Sequence, residues 1–107
     1  MKTSELTGPA LDWAVWACVK PDDKFLQQRR KCRPYSTDWA QGGPIIEREE
    51  IALEPMTHDK YGDGWLATRV EGPAICMEFG PTMLIAAMRC FVASRLGDEV
   101  EVPEELK

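Results

Sequence analysis

Between Gly80 and Gly97 apolar residues fall on more than one helical face. Ile85, Met88, Val92 and Leu96 form one stripe, Leu84, Phe91 and Arg95 a second, and Ala86, Ala87 and Ala93 fill much of the remaining surface. Pro81 suits a first helical position, where its missing N–H is no loss, and Gly97 suits the residue just past the end. The pattern therefore predicts a helix over about 81–96. A helix apolar on several faces has to be covered on several sides, so the rest of a short chain must wrap around it.

A second helix is predicted over about 9–19, where Leu11, Ala14, Val15 and Cys18 share a face at helical spacing and Trp13 and Trp16 extend it on neighbouring flanks. Thr7 is the natural cap, Pro9 lies in the first turn, and Lys20-Pro21-Asp22-Asp23 breaks the helix. Further on, Trp65 to Val70 and Ala74 to Phe79 read as two strands split by a Glu71-Gly72-Pro73 turn, and Ile51 to Leu53 as the start of another. Glu54 to Gly64 has the polar and glycine content of an exposed loop, and Val100 to Pro103 alternates like a short edge strand. The expected fold is α+β: one small domain over residues 1–107, with two main helices, about 9–19 and 81–96, packed on a small antiparallel sheet formed mainly after Glu50.

Composition narrows the function classes. The chain has 107 residues, 44% hydrophobic and 29% charged, as in ordinary globular proteins. Its longest apolar run, Met83 to Met88, is far too short to cross a bilayer, and Met1 to Glu5 is followed by no hydrophobic signal segment. The expectation is a cytoplasmic protein with no membrane partner. Cys18, Cys32, Cys76 and Cys90 form no C-x-x-C pair and are expected as buried thiols, and a single histidine, His58, leaves no convincing metal set. Asp59, Asp63 and Gly64 sit near the places of a calcium loop, but Tyr61 falls on a ligand position and Val70 replaces the closing glutamate. No metal and no cofactor is expected.

A formal net charge of −5 argues against phosphate-backbone binding as the main activity. One dense basic cluster does occur, at Arg29, Arg30, Lys31 and Arg33, but no aromatic residue alternates with it as in a single-strand groove. No Walker loop, no G-x-G-x-x-G after a strand, no H-E-x-x-H and no G-x-S-x-G is present. No catalytic residue is assigned, and the balance tilts against an enzyme.

The most unusual stretch runs from Pro34 to Glu49. Gly42 and Gly43 let a loop turn sharply and bring Asp38, Trp39 and Gln41 together, followed by a short helical turn over Pro44 to Glu50. Adjacent glycines are costly in conformational entropy, so the local geometry matters in one of two ways. Either Trp39 is seated in the core with Asp38 as a turn or cap acceptor, or Trp39 stays partly exposed beside Gln41, with Asp38 and Arg89 at the rim. Exposure of the Trp39 ring separates them.

Three segments carry a family resemblance: Met1 to Val15, with its Thr-Gly-Pro-Ala-Leu-Asp-Trp core; Ser36 to Glu49, with Asp-Trp-Ala-Gln-Gly-Gly-Pro-Ile-Ile-Glu; and Gly80-Pro81-Thr82 with Leu84 to Ser94 and Leu96 to Leu106. Together they resemble the NinX family, small accessory proteins of lambdoid phages and prophages. The resemblance implies a phage setting and early expression in the host, and implies no particular chemistry. The leading expectation is a non-enzymatic protein-binding factor acting on a host or phage protein through Asp38, Trp39, Gln41, Gly42, Gly43 and Arg89, since tryptophan is favoured at interface hot spots. An alternative is a small-molecule or nucleotide-binding protein, including an enzyme, using the Asp38 to Pro44 loop. A third is weak, salt-sensitive nucleic-acid binding through Arg29 to Arg33. Assembly as a homo-oligomer is compatible with all three.

Overall fold

The computed structural model describes residues 1–19 and 33–106. After a 3-10 turn over Thr3–Glu5 come helix α1 (Gly8–Val19), helix α2 (Trp39–Arg48), strands β1 (Ala52–His58), β2 (Gly62–Glu71) and β3 (Ala74–Gly80), helix α3 (Met83–Leu96) and a final 3-10 turn over Glu104–Leu106. The strands form one antiparallel sheet in the order β1-β2-β3. The fold is thus the expected α+β arrangement.

Helix α3 lies at the centre and packs on β2 and β3, on α1, on α2 and on the N-terminal turn. Leu84, Ala86, Ala87, Met88, Cys90, Phe91 and Val92 are all buried along it. Its start differs from expectation. Pro81 stays outside, and Thr82 is the cap, its hydroxyl accepting from the Ile85 amide at 3.1 Å; the extended backbone of Thr82 leaves Pro81 no place within the first turn. Gly97 closes the helix as expected, donating its N–H to the Ala93 carbonyl at 2.9 Å. At the junction of β3 and α3 a Cβ on Gly80 would lie 2.8 Å from the Ala86 Cα, so only glycine lets the strand end against the helix.

Three other expectations change. The loop expected at Asp38 to Pro44 is the front of helix α2. Asp38 caps it by accepting from the Ala40 amide at 2.9 Å, and Ile45, 3% exposed, anchors it to the core, which offsets the presence of Gly42, Gly43 and Pro44 inside a helix. Glu54 to His58 is strand, not loop: β1 pairs with β2 from Ala52↔Thr68 to His58↔Gly62, and only Asp59 to Tyr61 remain as the turn. Backbone pairing with β2 here outweighs the polar composition. Val100 to Pro103 forms no strand; the preceding Glu99 makes an isolated bridge to Lys2, while Val100 and Val102 are buried as plugs of the core. That bridge belongs to a clamp between the chain ends, in which Thr3 donates to the Asp98 carbonyl at 2.8 Å and Val100 to the Met1 carbonyl at 2.9 Å. The break expected at Lys20 to Asp23 lies outside the described residues, as does Cys32.

Glu49, just past α2, ties three elements together. Arg48 reaches its carboxylate at 3.1 Å, Arg69 of β2 at 3.0 Å and Arg95 of α3 at 2.9 Å. Burial alone would push the Glu49 carboxyl up, but hydrogen bonds from Arg95 and Arg48 and the charges of Arg95 and Arg69 hold it below the usual carboxylate range. Glu50 then takes a left-handed turn, φ 55°, that sends the chain into β1.

The packing generates three tests. Phe91 is 1% exposed, so Phe91→Ala should cost about 3–5 kcal/mol in urea unfolding; a loss under about 1 kcal/mol would place the ring outside the core. The two helical glycines should respond oppositely. A Cβ on Gly42 would strike the Tyr35 carbonyl and lie 2.6 Å from Leu84, whereas one on Gly43 would only touch the Trp39 ring at 3.7 Å. Gly43→Ala should stabilise by up to about 1 kcal/mol and Gly42→Ala destabilise by about 1–3 kcal/mol; like effects would mean α2 does not pack as described. Because the Glu49 pKa is lowered on folding, its contribution is complete above the unfolded value of about 4.3 and is lost as pH falls through the lower folded value. The stability gap between wild type and Glu49→Gln should therefore be full near neutrality and close as pH drops below about 4, as denaturant midpoints across that range would reveal.

Candidate functional site

Helix α2 carries four of the six residues singled out in the sequence, and a fifth, Asp38, directly precedes it. Asp38 is engaged as the cap, Gly42 is buried against Tyr35, and the Gln41 side-chain oxygen accepts from the Arg33 guanidinium at 3.2 Å. Trp39, the first helical residue, is 51% exposed. Its ring is not a core group, which is the exposure expected if the segment presents a surface. Beside it opens a hollow of about 460 Å³, walled by Trp65, Pro81, Met83 and Leu84 and bordered by the hydroxyl residues Thr37 and Thr82. The capped starts of α2 and α3 thus meet at one largely apolar depression.

Arg89 is not brought to that depression. Its Nε donates to the Leu6 carbonyl at 2.8 Å and one terminal amino group to the Phe79 carbonyl at 2.9 Å, so it pins the N-terminal segment and the end of β3 to α3. It lines a different cavity, with Tyr61 and Phe79. Of the basic cluster, Arg29 to Lys31 lie outside the described residues, and Arg33 is exposed.

The sheet holds a feature that the sequence reading missed. Ala67 is fully buried under α3, and the register puts Leu53, Trp65, Arg69, Cys76 and Glu78 on that same inner face. The outer face then carries Met56, Leu66, Thr68, Val70, Ile75, Met77 and Phe79, with Glu54 its one carboxylate among the strand residues. Val70 and Ile75 are each 64% exposed and Met77 is 54% exposed. Alternation in Ala74 to Phe79 separates Ala74, Cys76 and Glu78 from Ile75, Met77 and Phe79. The usual rule would turn the glutamate outward, yet it is Ile75 and Met77 that face solvent, while Phe79 is partly covered by His58 and Tyr61. Burial pushes the inward Glu78 carboxyl up, the nearby Arg89 charge partly opposing it.

Among the described residues no group of three or more His, Cys, Asp or Glu side chains is gathered as for a metal ion. Burial raises the Cys18 and Cys90 thiols to about 12 and the Cys76 thiol as well, so all three stay protonated and poorly nucleophilic near neutrality. Cys90 is buried as expected, while Cys18 and Cys76 are only partly covered.

No curated protein matches the chain. A family model does, the one described as Bacteriophage P22, NinX, over residues 2–95. The matched span takes in the N-terminal turn, α1, α2, all three strands and α3 as far as Arg95, and with so much of the chain covered, the protein belongs to the phage NinX family.

Proposed function

We propose that this phage accessory protein works by binding another protein, host or phage, and not by catalysis. The observation that carries this reading is the reversed outer face of the sheet, where Val70, Ile75 and Met77 stand in solvent while Glu78 is turned inward. Contiguous exposed apolar surface on a small protein marks a place meant to be covered. The chemistry of the cover follows from charge. A chain of net charge −5, with Glu54 on this face, fits a partner that offers an apolar surface with a basic rim, whereas a second copy would bring the same negative charge. Trp39 and its hollow form a second anchor on the helical side, suited to one apolar side chain of the partner.

The two anchors can be separated by mutation. Ile75→Glu with Met77→Glu should abolish capture of a discrete partner from infected-cell extract, while moving unfolding by less than about 1 kcal/mol, as exposed positions do. Trp39→Ala and Gln41→Ala, measured the same way, report on the helical anchor. A partner bound equally by all these variants, or a wild-type protein that captures none, would overturn the proposal. Concentration-dependent dimerisation lost in the Ile75→Glu, Met77→Glu protein would assign the face to a second copy instead.

A further inference from the structure

A cavity of about 750 Å³ opens where the β1–β2 turn, the end of β3 and the N-terminal turn approach Arg89, within the size range of small-molecule sites. Its walls combine two chemistries. Lys2, Lys60 and Arg89 line it against a single carboxylate, Glu5, a local excess of positive charge in a chain of net charge −5. Tyr61 and Phe79 supply an aromatic wall: their rings lie 6.3 Å apart and near parallel, at 21°, with His58 packed 4.8 Å from the first and 5.2 Å from the second. The His58 Nδ1 accepts from the Lys60 and Tyr61 amides at 3.0 and 3.3 Å, which fixes the turn carrying both side chains and places the ring proton of the neutral imidazole on Nε2.

Arg89 is the unusual member. It is half-buried and immobilised on two backbone carbonyls, and among the described residues no carboxylate forms an ion pair with it. Glu78 acts on it only through its charge and not through direct contact, and a partly desolvated guanidinium with no paired carboxylate is a costly choice for a scaffold, since two carbonyls could be held by a neutral donor. Burial lowers its pKa, but an arginine keeps its charge. Its planar fork matches the oxygens of a phosphate.

We propose that this cavity binds an organic phosphate of nucleoside-monophosphate size, its phosphate on Arg89 between Lys2 and Lys60 and its ring against the Tyr61 and Phe79 wall. A dianion balances the three cations better than a monocarboxylate does, and the aromatic wall gives an attached planar ring a surface that bare phosphate cannot use. The site adjoins the Trp39 hollow across Pro81, which lines both, and takes in no residue of the segment between Asp38 and Pro44.

Calorimetric titration of the full chain with the four common nucleoside monophosphates, inorganic phosphate and a nucleoside tests it. At low salt at least one nucleotide should bind with Kd below about 1 mM, about ten-fold or more tighter than inorganic phosphate or the nucleoside, and should weaken as salt is raised. Replacing Arg89 removes two backbone hydrogen bonds as well as a charge, so the variants used are at exposed Lys60 and Tyr61. Lys60→Glu should weaken binding about ten-fold or more, and Tyr61→Ala about five-fold or more. No nucleotide binding, binding untouched by both variants, or inorganic phosphate binding as tightly as the nucleotides would each overturn the proposal.

Discussion

The covering of α3 on every side is the constraint on which the rest of the molecule depends. Its surface is kept smooth by Ala86, Ala87 and Cys90, so strands and helices can approach closely, and the larger Met88, Phe91 and Val92 fill the spaces between them. Gly80 takes this furthest, ending β3 directly against the backbone of Ala86. The sheet has only three strands and cannot enclose a core alone; it is stable because one face lies on this helix. What α3 does not reach, namely the outer face of the sheet and the overhanging β1–β2 turn, carries Val70, Ile75, Met77 and Tyr61, the side chains most exposed among the large apolar and aromatic ones described.

The elements with strong periodicity were legible from sequence. Helices α1 and α3 and strands β2 and β3 fall where apolar spacing and Gly-Pro punctuation put them. Helix α2 was hidden because local signals pointed the other way: Gly42, Gly43 and Pro44 each disfavour a helix, and only tertiary contacts reverse the balance, Gly42 fitting against Tyr35 and Ile45 reaching the core. Strand β1 was hidden for a related reason. Its polar composition suits solvent on both sides at the far end, and its state is decided by β2, which no window of the sequence around Glu54 to His58 contains.

The candidate site was readable in part. Trp39, Asp38 and Gln41 could be singled out from composition, and the Trp39 ring does stand at the surface. The direction of Arg89 could not be read, because a helix fixes which residues share a face and leaves open which neighbour that face meets. The phase of alternation in β3 was in principle available, yet both phases are largely apolar, and the single glutamate points opposite to the ordinary expectation. Such a conflict between local rule and observed orientation is where function is to be sought.

The clamp between the chain ends bears on how the molecule is made. Met1 and Val100 exchange hydrogen bonds in both directions, and the Thr3 hydroxyl donates to the Gly97 carbonyl at 2.6 Å, so the first residues are held by partners nearly a hundred positions away. The opening turn therefore packs on elements far along the chain, β3 and α3, and α1 on α3. The chain closes almost as a ring. Contacts so distant in sequence carry a loop-closure entropy that the packing of one central helix has to offset.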